Sequence, residues 1–144
     1  MKLIPRPSLL NRLVNLQGTP DIKIITGIRR AGKSQLMAEF LAHIRETDPD
    51  DNIISVDFMD LKFEALKEYH ALNTYVEERY QAGKTNYLFI DEVQLCEKFE
   101  LAVNSLHASR KYDIYITGSN AFLLSADLAT LFTGRYIQVH IFPF

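Results

Sequence analysis

The chain has 144 residues, 47% hydrophobic and 24% charged, which suits one globular domain burying roughly 68–70% of its unfolded-chain surface. A net charge of −2 gives no general attraction for nucleic acid, and the one cysteine, Cys96, excludes an internal disulfide. No run of 18 apolar residues exists to span a membrane, and the proline-broken start Met1–Pro7 lacks the apolar stretch of a secretion signal, so a cytoplasmic location is expected.

In chain order, Pro7 to Val14 predicts a short amphipathic helix capped by Ser8, and Gln17 to Pro20 a loop. Asp21 to Thr26 predicts strand one, rich in isoleucine. After the Gly27–Lys33 loop, Ser34 to Thr47 predicts a helix, with Leu36, Met37, Phe40, Leu41 and Ile44 at helical spacing. Asp48 to Asn52 is a turn and Ile53 to Phe58 strand two. Phe63 to Gln81 predicts one long helix or two, ended by Gly83. Asn86 to Ile90 is strand three, Phe99 to Arg110 a helix, and Tyr112 to Thr117 strand four. Ala121 to Phe132 predicts a short helix or two, and Tyr136 to Phe142 strand five. Strand five runs into Ile141-Phe142-Pro143-Phe144 with no closing turn, which leads us to expect a fragment of a longer polypeptide. Strands alternating with helices predict an α/β fold, a parallel sheet covered on both faces. Ligands of such folds bind outside the carboxyl ends of the strands.

Three motifs follow strand ends. Gly27-Ile28-Arg29-Arg30-Ala31-Gly32-Lys33-Ser34 is a G-x-x-x-x-G-K-S loop between a strand and a helix, the P-loop pattern. Its glycines allow backbone angles that side chains forbid and leave room for phosphate oxygens, while successive N–H groups and the helix terminus favour an anion. Lys33 would reach the β- and γ-phosphates of ATP, and the Ser34 hydroxyl would ligate Mg²⁺. The nucleotide-binding stretch thus runs through Gly27, Ile28, Arg29, Arg30, Ala31, Gly32, Lys33, Ser34 and Gln35. No catalytic role is assigned to Arg29 or Arg30. Tyr87 to Glu92 is four apolar residues ending in two carboxylates, the Walker B pattern. Asp91 would hold Mg²⁺, and Glu92 would orient and deprotonate the attacking water.

Ile114 to Asn120 is a strand ending in small polar residues. Asn120, or failing it Ser119, could hold that water; capping of the next helix is the alternative. Arg135, just before strand five, could project from the domain edge toward a γ-phosphate bound by a neighbouring subunit, or serve as a solvated or ion-paired residue. Cys96 reads as an ordinary helix-edge residue, and His43, His70, His107 and His140 as surface or packing histidines without metal-ligand spacing.

The order Ile4-Pro5-Arg6-Pro7 with Leu9-Leu10, the Gly27–Ser34 loop, Phe89-Ile90-Asp91-Glu92-Val93-Gln94, Thr117-Gly118-Ser119-Asn120 and Gly134-Arg135 resembles prokaryotic AAA-type ATPases of the AAA domain 14 group, relatives of the archaeal ATPases within the AAA+ class. The resemblance implies a three-layer α/β/α core whose five-stranded parallel sheet has the order 5-1-4-3-2. It implies Walker A roles for Lys33 and Ser34, Walker B roles for Asp91 and Glu92, and sensor 1 at Asn120 or Ser119. Arg135 would take the arginine-finger position, and Ile4 to Leu13 would border the adenine. Full-length members continue into a helical lid and a C-terminal domain, so the resemblance implies ATP turnover in the full-length protein and nucleotide binding in this stretch.

The leading expectation is an Mg²⁺-dependent ATPase that drives a conformational change in a partner. The alternative is a nucleotide-gated binding module, for which Glu92 would be superfluous. A small-molecule kinase would want an arginine-rich lid, and GTP would want an Asn-Lys-x-Asp motif; neither is present. A homo-oligomer or protein client is possible, while nucleic acid has no basic stripe to support it.

Overall fold

The computed structural model describes residues 6–27, 32–119 and 128–141. Ile28, Arg29, Arg30, Ala31 and Asn120, all singled out by the sequence, lie outside the described residues, as do 121–127 of the helix expected there. Five strands, β1 (Ile22–Gly27), β2 (Asn52–Asp57), β3 (Asn86–Asp91), β4 (Tyr112–Ser119) and β5 (Tyr136–Ile141), pair in the order β2-β3-β4-β1-β5. All pairs are parallel. From the other edge this is 5-1-4-3-2, the expected order. The helices are α1 (Arg6–Leu16), α2 (Lys33–Thr47), α3 (Tyr69–Glu78), α4 (Phe99–Ala108) and the single turn α5 (Leu128–Leu131).

The period-two geometry of a strand divides the core into two layers. Ile22, Ile24, Leu88, Ile90, Ile114 and Ile116 face one side, against Leu72 and Val76 of α3 and Phe99, Ala102, Val103 and Leu106 of α4. Ile25, Tyr87, Phe89, Tyr115 and Val139 face the other, against Leu9 and Leu13 of α1 and Leu36, Met37, Phe40 and Ile44 of α2. On that second side Phe89 stacks on Tyr115 at 4.9 Å between ring centres, and Phe40 meets the Tyr115 ring edge-on at 5.0 Å. The same parity sends Asp91 and Thr117, next in the rows of Phe89 and Tyr115, toward the α2 side. That is the side on which the P-loop helix begins.

The stretch expected to be helical over 63–81 is two elements. A 3-10 helix covers Leu61–Leu66, and α3 starts only at Tyr69. Between them the chain is extended at Glu68, which forms a parallel bridge with Glu97, and Lys67 accepts from the Glu97 N–H at 2.9 Å. Glu68 also caps α3: its carboxylate accepts from the N–H groups of His70 at 2.9 Å and Ala71 at 3.0 Å. Those bonds hold the Glu68 carboxyl below the usual glutamate range. The residue that looked like mid-helix charge is the break.

At the amino ends of the strands lies a buried ion pair that the apolar reading of strand one does not suggest. Lys23 of β1 is fully buried and pairs with Asp113 of β4 at 2.7 Å. Asp113 also accepts from the Tyr115 hydroxyl at 2.8 Å and the Gly18 N–H at 2.9 Å, and the Lys23 ammonium donates to the Thr19 carbonyl. The pair fastens the loop between α1 and β1 to the underside of the sheet.

Removing one member of a buried pair strands the other without compensation. Lys23→Met should therefore destabilise the domain by about 3–5 kcal/mol, read as a lower urea midpoint at unchanged slope. Lys23→Met with Asp113→Asn should recover part of the loss. An unchanged midpoint for the single variant would show that the pair holds nothing.

Candidate functional site

Gly27 ends β1 beside β5. A Cβ there would lie 2.8 Å from the Ile141 carbonyl oxygen, so the position tolerates only glycine for a packing reason as well as a conformational one. Gly32 caps α2 in the left-handed region at φ 92°, again a glycine conformation, and accepts the first helical bond from Leu36 N–H at 2.9 Å. Lys33 follows immediately, in the first turn of α2. Its ammonium donates to the Gly27 carbonyl at 3.1 Å and pairs with Glu92 at 3.3 Å. Lys33 is 1% exposed and Glu92 6%, so this pair is nearly dry. Ser34 and Gln35 are exposed on the same turn.

Two strands away, β3 ends at Asp91, and Glu92 takes a left-handed conformation at φ 55°, uncommon for a residue with a side chain. The turn is held from both sides. Glu92 N–H donates to the Thr117 hydroxyl at 2.9 Å, and Leu95 N–H donates to the Glu92 carbonyl at 3.1 Å. Thr117 in turn donates to Asp91 Oδ1. The second oxygen, Asp91 Oδ2, accepts from the Ser34 hydroxyl at 3.2 Å. Gln94 Nε2 donates to Glu92 Oε1 at 2.8 Å. Side chains of the glycine-loop helix and of the turn after β3 thus meet directly, through Ser34 with Asp91 and Lys33 with Glu92.

Burial pushes the Asp91 carboxyl above the usual aspartate range. The Thr117 and Ser34 hydrogen bonds oppose that shift, while Asp57 and Glu92 reinforce it by charge repulsion. Asp57 ends β2 in register with Asp91. Three carboxylates therefore crowd one rim around a single ammonium, and a divalent cation at Ser34 and Asp91 would relieve that excess. Mg²⁺ fits this donor set, since it takes few protein ligands and keeps most of its water. Among the described residues, no group of three or more His, Cys, Asp or Glu side chains is arranged as a metal cage.

Ser119 is next to Gly27 in the β4–β1 register, at the same end of the sheet. Thr117 and Gln94, which stand inside the quoted motifs without an assigned role, and Asp57, which stands in none, belong to the neighbourhood. Thr117 could have been found by counting two residues back from Ser119 along one strand face.

Arg135 stands elsewhere. Tyr136 is in register with Ile22 and Ile141 with Gly27, so Arg135 lies a strand length, about 20 Å, from the Lys33 end. It is 87% exposed in its side chain and pairs with Asp21 at 3.3 Å. With His107, Arg110 and Lys111 it lines an open groove at the amino ends of the strands. Its approach is fixed by α4: Asn104 donates to the Leu131 carbonyl at 2.9 Å and accepts from Thr133 N–H at 3.1 Å. The His107 ring bonds the Pro20 carbonyl at 2.7 Å and lies so close to Gly134 that a Cβ there would sit 2.3 Å from Nδ1. His107 packs, as its spacing suggested. Cys96, at the edge of the 3-10 turn Val93–Leu95, is buried, and burial is the main cause pushing its thiol up to about 12. It stays a thiol and offers no nucleophile.

A family model described as an AAA domain matches residues 19–144. The chain is 35% identical over 143 residues to an uncharacterized protein of Haemophilus influenzae, covering 98% of this chain and 36% of that one. It is 32% identical over 146 residues to the uncharacterized protein MJ1544 of Methanocaldococcus jannaschii, covering 99% of this chain and 31% of that one. The chain spans about a third of the length of these curated relatives. Among solved structures, domain III of the Thermotoga maritima replication initiation protein DnaA superposes with a TM-score of 0.60 at 18% identity, covering 96% of this chain and 69% of that one. At that identity the likeness is one of fold. No helix among the described residues is long and apolar enough to cross a membrane. With residues 19–144 matched and the Lys33–Glu92 and Ser34–Asp91 contacts at the carboxyl ends of its strands, the chain belongs to the AAA domain 14 family, a nucleotide-binding module of AAA type.

Proposed function

We propose that the chain is the Mg²⁺-dependent ATPase core of an AAA+ protein, working in the cytoplasm and coupling ATP binding and hydrolysis to a change in partner shape. The observation that carries the reading is the direct contact of Lys33 with Glu92 and of Ser34 with Asp91 at one rim. Lys33 would leave Glu92 and the Gly27 carbonyl for the β- and γ-phosphates, exchanging one carboxylate and one carbonyl for phosphate oxygens that carry more negative charge in total. The N–H groups after Gly32 favour the same anion. Ser34 and Asp91 would hold Mg²⁺, which supplies charge neutralisation at the phosphates. Thr117 fixes the Asp91 carboxylate and the Glu92 backbone with one hydroxyl, so metal ligand and base move as a unit. Glu92, freed from Lys33, takes a proton from the attacking water. A carboxylate placed for that step favours hydrolysis over binding alone. Asn120, or failing it Ser119, is proposed to hold the attacking water, and Gln35 to border the phosphates with Gly27 to Ser34. Arg135 is proposed to act on the nucleotide of a neighbouring copy, since it stands a strand length from its own Lys33.

ATP with Mg²⁺ should raise the melting temperature. At a ligand concentration near 100 Kd the gain is about 2.7 kcal/mol, or roughly 5–15 °C. Lys33→Ala should abolish the shift, and a folded native protein showing none at millimolar ATP would sink the proposal.

In the full-length protein the two carboxylates should separate. Glu92→Gln should keep ATP affinity and slow turnover by about 10²–10⁴. Asp91→Asn should weaken Mg²⁺-dependent binding yet raise the melting temperature of the protein alone at pH 7. The sign follows from the raised carboxyl. The folded state favours the protonated form, so the group costs stability once pH exceeds the ordinary aspartate range, and an uncharged side chain removes that cost. Native and variant melting curves should converge as pH falls through that range. Native turnover in Glu92→Gln would show that Glu92 is not the base, whereas ATP binding with no turnover in the native full-length protein would hand the site to the binding-module reading.

Arg135→Ala should abolish turnover while leaving nucleotide affinity within a few-fold, since an arginine supplied in trans contributes about 10³–10⁵ in rate. Mixing Arg135→Ala with Lys33→Ala subunits should restore part of the activity. A silent mixture from a normally assembled protein, with native turnover independent of concentration, would leave Arg135 a surface residue paired with Asp21.

A further inference from the structure

We infer that Gln94 is a positioning residue for Glu92, dividing the labour of its two carboxylate oxygens; this rests on the ATPase reading above. Gln94 lies in the 3-10 turn that follows Glu92, and the turn is pinned. Val93 is fully buried, and Cys96 N–H donates to its carbonyl at 3.0 Å. From that base the Gln94 amide reaches back two residues, and Nε2 donates to Glu92 Oε1 at 2.8 Å. The amide has one sensible orientation, because turning it over would set its carbonyl against a carboxylate. In that orientation the Gln94 carbonyl oxygen is buried without a hydrogen-bond partner. A side chain chosen only to satisfy itself would not leave that atom unpaired. The donor toward Glu92 is the contact that the position keeps.

The consequence is atomic. Glu92 Oε2 faces Lys33, and Glu92 Oε1 faces Gln94. When Lys33 moves to a phosphate, Oε2 loses its partner while Oε1 retains its own. Gln94 then leaves Glu92 a single free oxygen in a fixed place. Oε2 accepts the proton of the water, the oxygen of that water bonds to the γ-phosphorus, and the bond from that phosphorus to the β–γ bridging oxygen breaks with its electron pair on ADP. The proton on Oε2 leaves with the products. Without Gln94 the carboxylate would pivot about its last torsion once Lys33 departs, and the basic oxygen would lose its address. The strained backbone of Glu92 fixes where the side chain starts, whereas Gln94 fixes where it ends.

The test compares, in the full-length protein, Gln94→Ala and Gln94→Glu with the native sequence and with Glu92→Gln, measuring ATP affinity and kcat and KM separately. Gln94→Ala should bind ATP within about 3-fold of native and keep its KM, while kcat falls by about 10–10²-fold, the scale of a small misplacement of a reacting group. Gln94→Glu has the same length and nearly the same volume but sets a second carboxylate against Glu92. It should be at least as slow, which a space-filling role would not produce. In the Glu92→Gln background, adding Gln94→Ala should change the residual rate by less than about 2-fold, because a residue that acts through Glu92 has nothing left to position. Native kcat in either Gln94 variant, a further loss of similar size on top of Glu92→Gln, or lost ATP binding in a folded Gln94→Ala protein would each overturn the inference. A native enzyme that Glu92→Gln cripples and Gln94→Ala spares would overturn this inference alone. A native protein that binds no ATP, or binds it without turnover, would remove the ATPase reading and this inference together.

Discussion

A buried ammonium cannot stand without acceptors, and the Lys33 ammonium organises the rim around that need. Its two partners come from separate elements: the carbonyl of Gly27, at the end of β1, and the carboxylate of Glu92, beyond the end of β3. β4 lies between those strands and supplies Thr117, whose hydroxyl links Asp91 to the Glu92 backbone. Sheet order is therefore part of the chemistry. Only with β4 between β1 and β3 does one threonine reach the Walker B turn while Lys33 reaches across to the same turn from α2. One acceptor is a neutral carbonyl and the other a carboxylate, so the ammonium is charge-balanced within the rim.

The sheet and the rim were legible because strands buried on both faces read as near-continuous apolar runs, and because the loop and carboxylate motifs follow their ends. Ile22 to Gly27 and Tyr87 to Asp91 needed no contact information. What was hidden depended on contacts between segments distant in sequence. Glu68 looks like any solvated helical charge until its bridge to Glu97 is seen. Lys23 sits in an apolar strand because Asp113, ninety residues on, neutralises it. Thr117 was passed over for its polar neighbours Ser119 and Asn120, since type alone does not say which of three small polar residues points inward. Strand parity puts Thr117 and Ser119 on one face once Tyr115 is known to pack beneath α2, and only the contacts with Asp91 and Glu92 single out Thr117. Gly134 was read only as the partner of Arg135, whereas its lack of a side chain makes room for the His107 ring.

Stability and function pull apart at Asp91. Burial next to Asp57 and Glu92 makes its charge unfavourable, and two hydroxyls only partly offset that. The carboxylate that would bind metal is one whose charge the fold disfavours. Such a site is held ready by its surroundings, and Thr117 and Ser34 keep its oxygens in place without neutralising them.

Helix α4 has a consequence of its own. Ten residues long, about 15 Å, it leaves the turn that carries Glu92 and ends beside the approach to Arg135. Asn104 and His107 tie its last turns to that approach, and Phe99 and Val103 seat it on the sheet. One rigid helix therefore sets the distance between the Glu92 turn and the backbone that leads into Arg135, so the span of the domain at this place is fixed by the length of a single element.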